Sequence, residues 1–121
     1  MTDLIFILDR SGSMINQVKE TIKGYNSYIE DMENENVKVT TVLFDDEYEM
    51  ITKRKIIGNI KKLTKELYYP RGCTALYDAI GKTIKYMDER KTEKVIFVII
   101  TDSLENCSIR YTKDKIKSMM L

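Results

Sequence analysis

Leu4-Ile5-Phe6-Ile7-Leu8-Asp9-Arg10-Ser11-Gly12-Ser13-Met14 joins a run that is apolar at every position to a short polar stretch, and a helix-period pattern begins directly after it. The run Leu4 to Leu8 has the composition of a strand buried on both faces, which belongs in the middle of a parallel sheet. Beyond Met14, the residues Ile15, Val18, Ile22, Tyr25, Ile29 and Met32 recur at spacings of three or four, forming one helical stripe able to cover the sheet. Strand, loop and helix in that order place Asp9, Ser11 and Ser13 outside the carboxyl end of a central strand, where open α/β sheets bind ligands. One carboxylate and two hydroxyls at alternate positions can converge on one point, and Gly12 between them accepts backbone conformations denied to other residues. An all-oxygen set of this kind suits a hard cation. The plainer use of the same loop is a tight turn in which Ser13 caps the helix.

Two further stretches bear on the choice. In Arg71-Gly72-Cys73-Thr74-Ala75-Leu76, Pro70 and Gly72 stop any incoming helix, and Thr74 is placed to cap a new one with the stripe Leu76, Ile80, Ile84 and Met87. Val95 to Ile100 is a second doubly apolar strand, and it ends in Thr101-Asp102-Ser103. If it lies beside the first strand, the two carboxyl ends are about 5 Å apart in the pairing direction. Asp9 and Asp102 then flank one crevice. Two carboxylates so close repel unless a cation lies between them. With few protein oxygens on offer, water must complete the shell, which favours Mg²⁺ over Ca²⁺, with Mn²⁺ a close substitute.

The three segments, taken together and in this order, resemble the von Willebrand factor type A domain with its metal-ion-dependent adhesion site. The resemblance implies a Rossmann-like doubly wound α/β sheet, mostly parallel with one antiparallel edge strand. Its order would run from an edge strand at Glu47 to Thr52, through Val37 to Phe44 and Leu4 to Leu8, to Val95 to Ile100. It further implies Ser11, Ser13 and Thr74 as direct or near-direct metal ligands, Asp9 and Asp102 acting largely through water, and a partner protein whose Asp or Glu closes the shell. Ser103-Leu104-Glu105-Asn106 resembles the loop after the metal Asp in bacterial members. Arg10 departs from the family, in which many relatives carry a small or acidic residue. The expected domain, residues 1–121, stops after a fourth helix and lacks the last strands and helices usual in the family.

Composition narrows the alternatives. The chain has 121 residues and fits one domain, and a chain of this size removes roughly 60–70% of its unfolded surface from water. Its 20 Lys and Arg against 19 Asp and Glu leave a net charge of +1, with no global field to attract nucleic acid or an anionic membrane. The cluster Lys53, Arg54, Lys55, Lys61, Lys62 and Lys65 lacks interleaved aromatics and reads as a solvated face. No apolar run is long enough to span a bilayer, and Met1-Thr2-Asp3 lacks the basic start of a signal peptide, so a cytoplasmic location is expected. The sequence contains no His, which removes Ser-His-Asp and Cys-His catalysis. Cys73 and Cys107 are expected as thiols in loops.

Among the connections, Asp45-Asp46 is expected to turn the chain into the edge strand, Asn59 to Leu63 to form a short helix, and Thr112 to Leu121 to form a helix at the tail. The function expected is a metal-dependent protein-binding module and not an enzyme. Its rivals are a haloacid-dehalogenase-like phosphotransferase, which needs a second Asp where Ser11 stands, and a scaffold with a vestigial site. Because Val95 to Ile100 is apolar throughout yet would lie at a sheet edge, a homodimer or swapped assembly joined at or near that edge and using the tail helix is also expected, the alternative being that the chain is a fragment of a longer protein.

Overall fold

The computed structural model of the chain describes residues 2–33, 35–88 and 94–101. Its centre is β1 (Thr2–Asp9), whose apolar residues Leu4 to Leu8 are all at most 1% exposed. Alternation along β1 separates two cores. Leu4, Phe6 and Leu8 pack with Tyr25, Val37, Val39 and Leu43 on one face, while Ile5 and Ile7 pack with Phe44, Ala79, Ile80, Ile84 and Met87 on the other. Helix α1 (Val18–Asp31) covers the first face through Val18, Ile22, Tyr25 and Ile29, and α2 (Leu76–Asp88) covers the second.

The remaining strands are β2 (Val37–Phe44), β3 (Tyr48–Ile56) and β4 (Lys94–Ile100), in the sheet order β3-β2-β1-β4. β1 pairs in parallel with both β2 and β4, and β2 pairs antiparallel with β3. This is the mixed, doubly wound sheet expected, with helices on both faces. Parallel neighbours on both sides require crossovers, and α1 and the segment carrying α2 supply them. The common direction brings the carboxyl ends of β1, β2 and β4 to one rim.

Three local expectations need correction. The helix after Met14 opens with a 3₁₀ turn, Gly12–Gln17, whose tighter winding swings Ile15 out of the apolar stripe to 65% exposure. β3 runs to Ile56 and not to Thr52, because a bulge absorbs its polar middle: Thr41 faces Thr52 but Val39 faces Lys55, so β3 carries one extra residue there. Arg54 sits in that bulge at φ 44° and reaches the buried Asp3 with two hydrogen bonds, Nε to Oδ1 at 2.9 Å and a terminal nitrogen to Oδ2 at 3.2 Å. The short helix expected over Asn59 to Leu63 is instead a 3₁₀ turn at Ile57–Asn59. The tail helix expected over Thr112 to Leu121 lies outside the described residues.

Candidate metal centre at the carboxyl end of the sheet

Asp9 is the last residue of β1, opposite Phe44 of β2, and it is fully buried. A carboxylate in such a place must be satisfied on both oxygens. Oδ1 accepts the Ser11 backbone N–H at 2.7 Å, and Oδ2 accepts the Thr101 hydroxyl at 2.6 Å. The pairing of Leu8 with Ile100 places Thr101 there, one step past the end of β4. The backbone carbonyl of Asp9 accepts a hydrogen bond from the buried Tyr68 hydroxyl. The head of the site is therefore held from three directions.

Ser11 and Ser13 follow with their hydroxyl oxygens 3.1 Å apart. Ser11 is buried and Ser13 exposed, so the pair runs from the crevice to the surface. Neither makes a side-chain cap: Ser11 is the N-cap of the 3₁₀ turn without a side-chain cap bond, and the N-cap of α1 is Gln17. The capping role considered for Ser13 is thus not what the hydroxyl does.

The loop before α2 is tied to this one through the main chain. Gly12 N–H donates to the Gly72 carbonyl at 3.0 Å, and Arg71 N–H donates to the Arg10 carbonyl at 2.7 Å. The φ of +67° at Gly72 allows that close approach of two backbones. Thr74, buried at 2% exposure, lies two residues after Gly72, and the next amide, Ala75 N–H, donates to the Asp45 carbonyl at 2.9 Å. The structure thus brings Asp9, Ser11 and Ser13 together and fastens the Thr74 loop to them. Asp102 and Cys107 lie outside the described residues. Cys73, expected as a thiol, is disulfide-bonded.

Residues that pattern reading passed over complete the rim. Thr101 is one, since nothing in an apolar strand end marks a hydroxyl as a carboxylate donor. Arg10 is another. It is buried at 2% exposure, donates to Glu49 Oε1 at 2.7 Å, and lies with Nε 3.6 Å from Asp45 Oδ2. Asp45 does turn the chain, accepting the Glu47 N–H at 2.7 Å, yet it is also fully buried and accepts from Arg71 Nε at 2.7 Å. That hydrogen bond raises the Arg71 guanidinium above its ordinary pKa.

Among the described residues no group of three or more His, Cys, Asp or Glu side chains is placed to hold a metal ion. The set here differs in kind, with one described carboxylate and the hydroxyls of Ser11, Ser13 and Thr74. Hard oxygen donors of low total charge fit a Mg²⁺-like ion that keeps several waters.

Comparison with known proteins agrees with the fold. The sequence model of the von Willebrand factor type A domain matches residues 4–105. Among solved structures, the fold is similar to the vWF domain of the type V pili tip protein Mfa5 from Porphyromonas gingivalis, at 17% identity and a TM-score of 0.72, covering 86% of this chain and 38% of that one. It is similar to the PilB minor pilin from Streptococcus sanguinis, at 18% identity and a TM-score of 0.72, covering 84% of this chain and 29% of that one. It is also similar to proximal thread matrix protein 1 from the mussel byssus, at 18% identity and a TM-score of 0.69, covering 98% of this chain and 33% of that one. The chain therefore spans well under half the length of each of these structures. No curated protein matches it in sequence.

Proposed function

The chain belongs to the von Willebrand factor type A domain family, and from that premise we propose that it is a protein-binding module whose contact with its partner runs through a divalent cation. Asp9, Ser11, Ser13, Thr74 and Asp102 are the residues assigned to hold the ion, with Mg²⁺ the first choice and Mn²⁺ or Ca²⁺ as substitutes. The observation that carries the reading is the pair of serine hydroxyls 3.1 Å apart beside a buried Asp9, neither making a side-chain cap bond. Serines serving only a turn would be expected to cap.

When bound, such an ion supplies an exchangeable, electrophilic position that a carboxylate can fill. The chain's own contribution is orientation. Thr101 and the Ser11 amide fix the Asp9 carboxylate, and the Gly12–Gly72 bond holds the Thr74 loop against the serines. Against phosphoryl transfer of the haloacid-dehalogenase kind stands the residue two places after Asp9, which is Ser where that chemistry needs its general acid. That pilus and byssus proteins share the fold supports an adhesive or assembly role.

The test is water-proton relaxation by protein-bound Mn²⁺. A glutamate-rich peptide should lower the relaxivity by displacing a bound water, and its glutamine counterpart should not. Equal responses to the two peptides would defeat the reading of an acidic partner.

A further inference from the structure

We propose that Asp45 is the positioning residue of the cation site, a buried carboxylate that clamps Arg10 and Arg71 and so holds the Ser11–Ser13 loop and the Thr74 loop in register; this rests on the cation reading above. Three chain segments meet at this one side chain. Arg10 precedes the serines, Arg71 precedes Thr74, and Asp45 lies between β2 and β3. Arg71 Nε donates to Asp45 Oδ2 at 2.7 Å, and Arg10 Nε, buried and without a hydrogen-bond acceptor, faces the same oxygen at 3.6 Å. The outer ends of both guanidinium groups are held in turn, Arg10 by Glu49 Oε1 at 2.7 Å and Arg71 by Glu47 Oε2 at 2.9 Å.

A carboxylate removed from water strongly prefers compensating cations, and two guanidinium groups with fixed donor forks leave it little freedom. The main chain repeats the connection: Arg10 N–H donates to the Phe44 carbonyl at 2.7 Å, and Ala75 N–H donates to that of Asp45 at 2.9 Å. Asp45 thus grips both loops without being adjacent in sequence to any assigned ligand. Outer groups that orient metal ligands are worth about 10–100-fold in metal affinity. The clamp also accounts for the buried Arg10 at a position where a small residue would serve a simple turn.

The experiment combines amide hydrogen exchange of the metal-free protein with Mn²⁺ titration, on wild type, Asp45→Asn, Arg71→Gln and Arg71→Lys. In Asp45→Asn and Arg71→Gln, the Gly12 and Ala75 amides should exchange at least about tenfold faster while Ile5 and Ile7 in β1 keep their protection. Mn²⁺ affinity should fall by about tenfold or more, with partial recovery in Arg71→Lys. Unchanged exchange at Gly12 and Ala75, acceleration shared equally by β1, or retained Mn²⁺ affinity would each overturn the proposal. If Asp45→Asn does not fold, the two variants at the 40% exposed Arg71 decide. Wild type that binds no Mn²⁺ would defeat the cation reading itself, and the exchange rates would still judge the clamp.

Discussion

At Gly72 the backbone takes φ +67°, and a Cβ built there would run into Asp46 Oδ1. The exposed Asp46 can swing aside, but the left-handed backbone remains costly for any L side chain. Gly72→Ala should therefore lose about 1–2 kcal/mol of stability, read as a lower urea midpoint with an unchanged slope. Equal midpoints would mean that this loop relaxes without strain. Arg10 is a contrasting case at the same scale. Its neighbours in sequence explain nothing about it, because its partners, Asp45 just past β2 and Glu49 in β3, are brought to it only by the pairing of the strands. A residue whose role is set by contacts so distant in the chain cannot be read from local pattern.

The elements make the opposite point where their signal is local. β1, β4 and α2 were legible because each announces itself within its own residues, by an unbroken apolar run or by a stripe of spacing three and four, and β2 because β-branched residues fill most of its length. The 3₁₀ opening before α1 and the long β3 were not. Ile15 fits the helical spacing but the tighter turn exposes it, and Lys53-Arg54-Lys55 reads as a solvated basic face until the bulge and the Arg54–Asp3 pair are seen. The links between elements also predict a pH response. Tyr25 of α1 meets Thr41 of β2 at 2.7 Å, and Tyr48 of β3 meets Thr83 of α2 at 2.8 Å. Burial raises both phenols above 10.0, with those hydrogen bonds opposing the shift. The folded state therefore favours the neutral phenol more than the unfolded state does. Its contribution is complete below pH 10.0 and is lost as pH rises through the higher folded values. Urea unfolding followed upward from pH 9 should show a decline that is smaller in Tyr25→Phe. An identical decline in the variant would assign the loss to other groups.

For the molecule as a whole, the sheet order brings the ends of β1 and β4 together, and the loop before α2 is fastened to the loops that follow β1 and β2. The placement of Asp9, Ser11 and Ser13 was legible because a loop leaving a central strand has a known address. Thr101, Tyr68 and the arginine clamp were not, since their roles arise only when distant segments meet. β4 pairs with β1 alone among the described residues, and Val95 to Ile100 are only partly buried. A dimer through this edge is the expected species in sedimentation velocity. A monomer over a tenfold concentration range would overturn that expectation. The central claim, that these loops form one cation site, is tested most directly by Mn²⁺ titration followed by electron paramagnetic resonance. Wild type should bind one ion per chain, and Ser13→Ala, at an exposed position, should bind it about tenfold more weakly with its melting temperature in the absence of metal unchanged. No loss of free Mn²⁺ signal with millimolar wild type, or equal binding by Ser13→Ala, would contradict it.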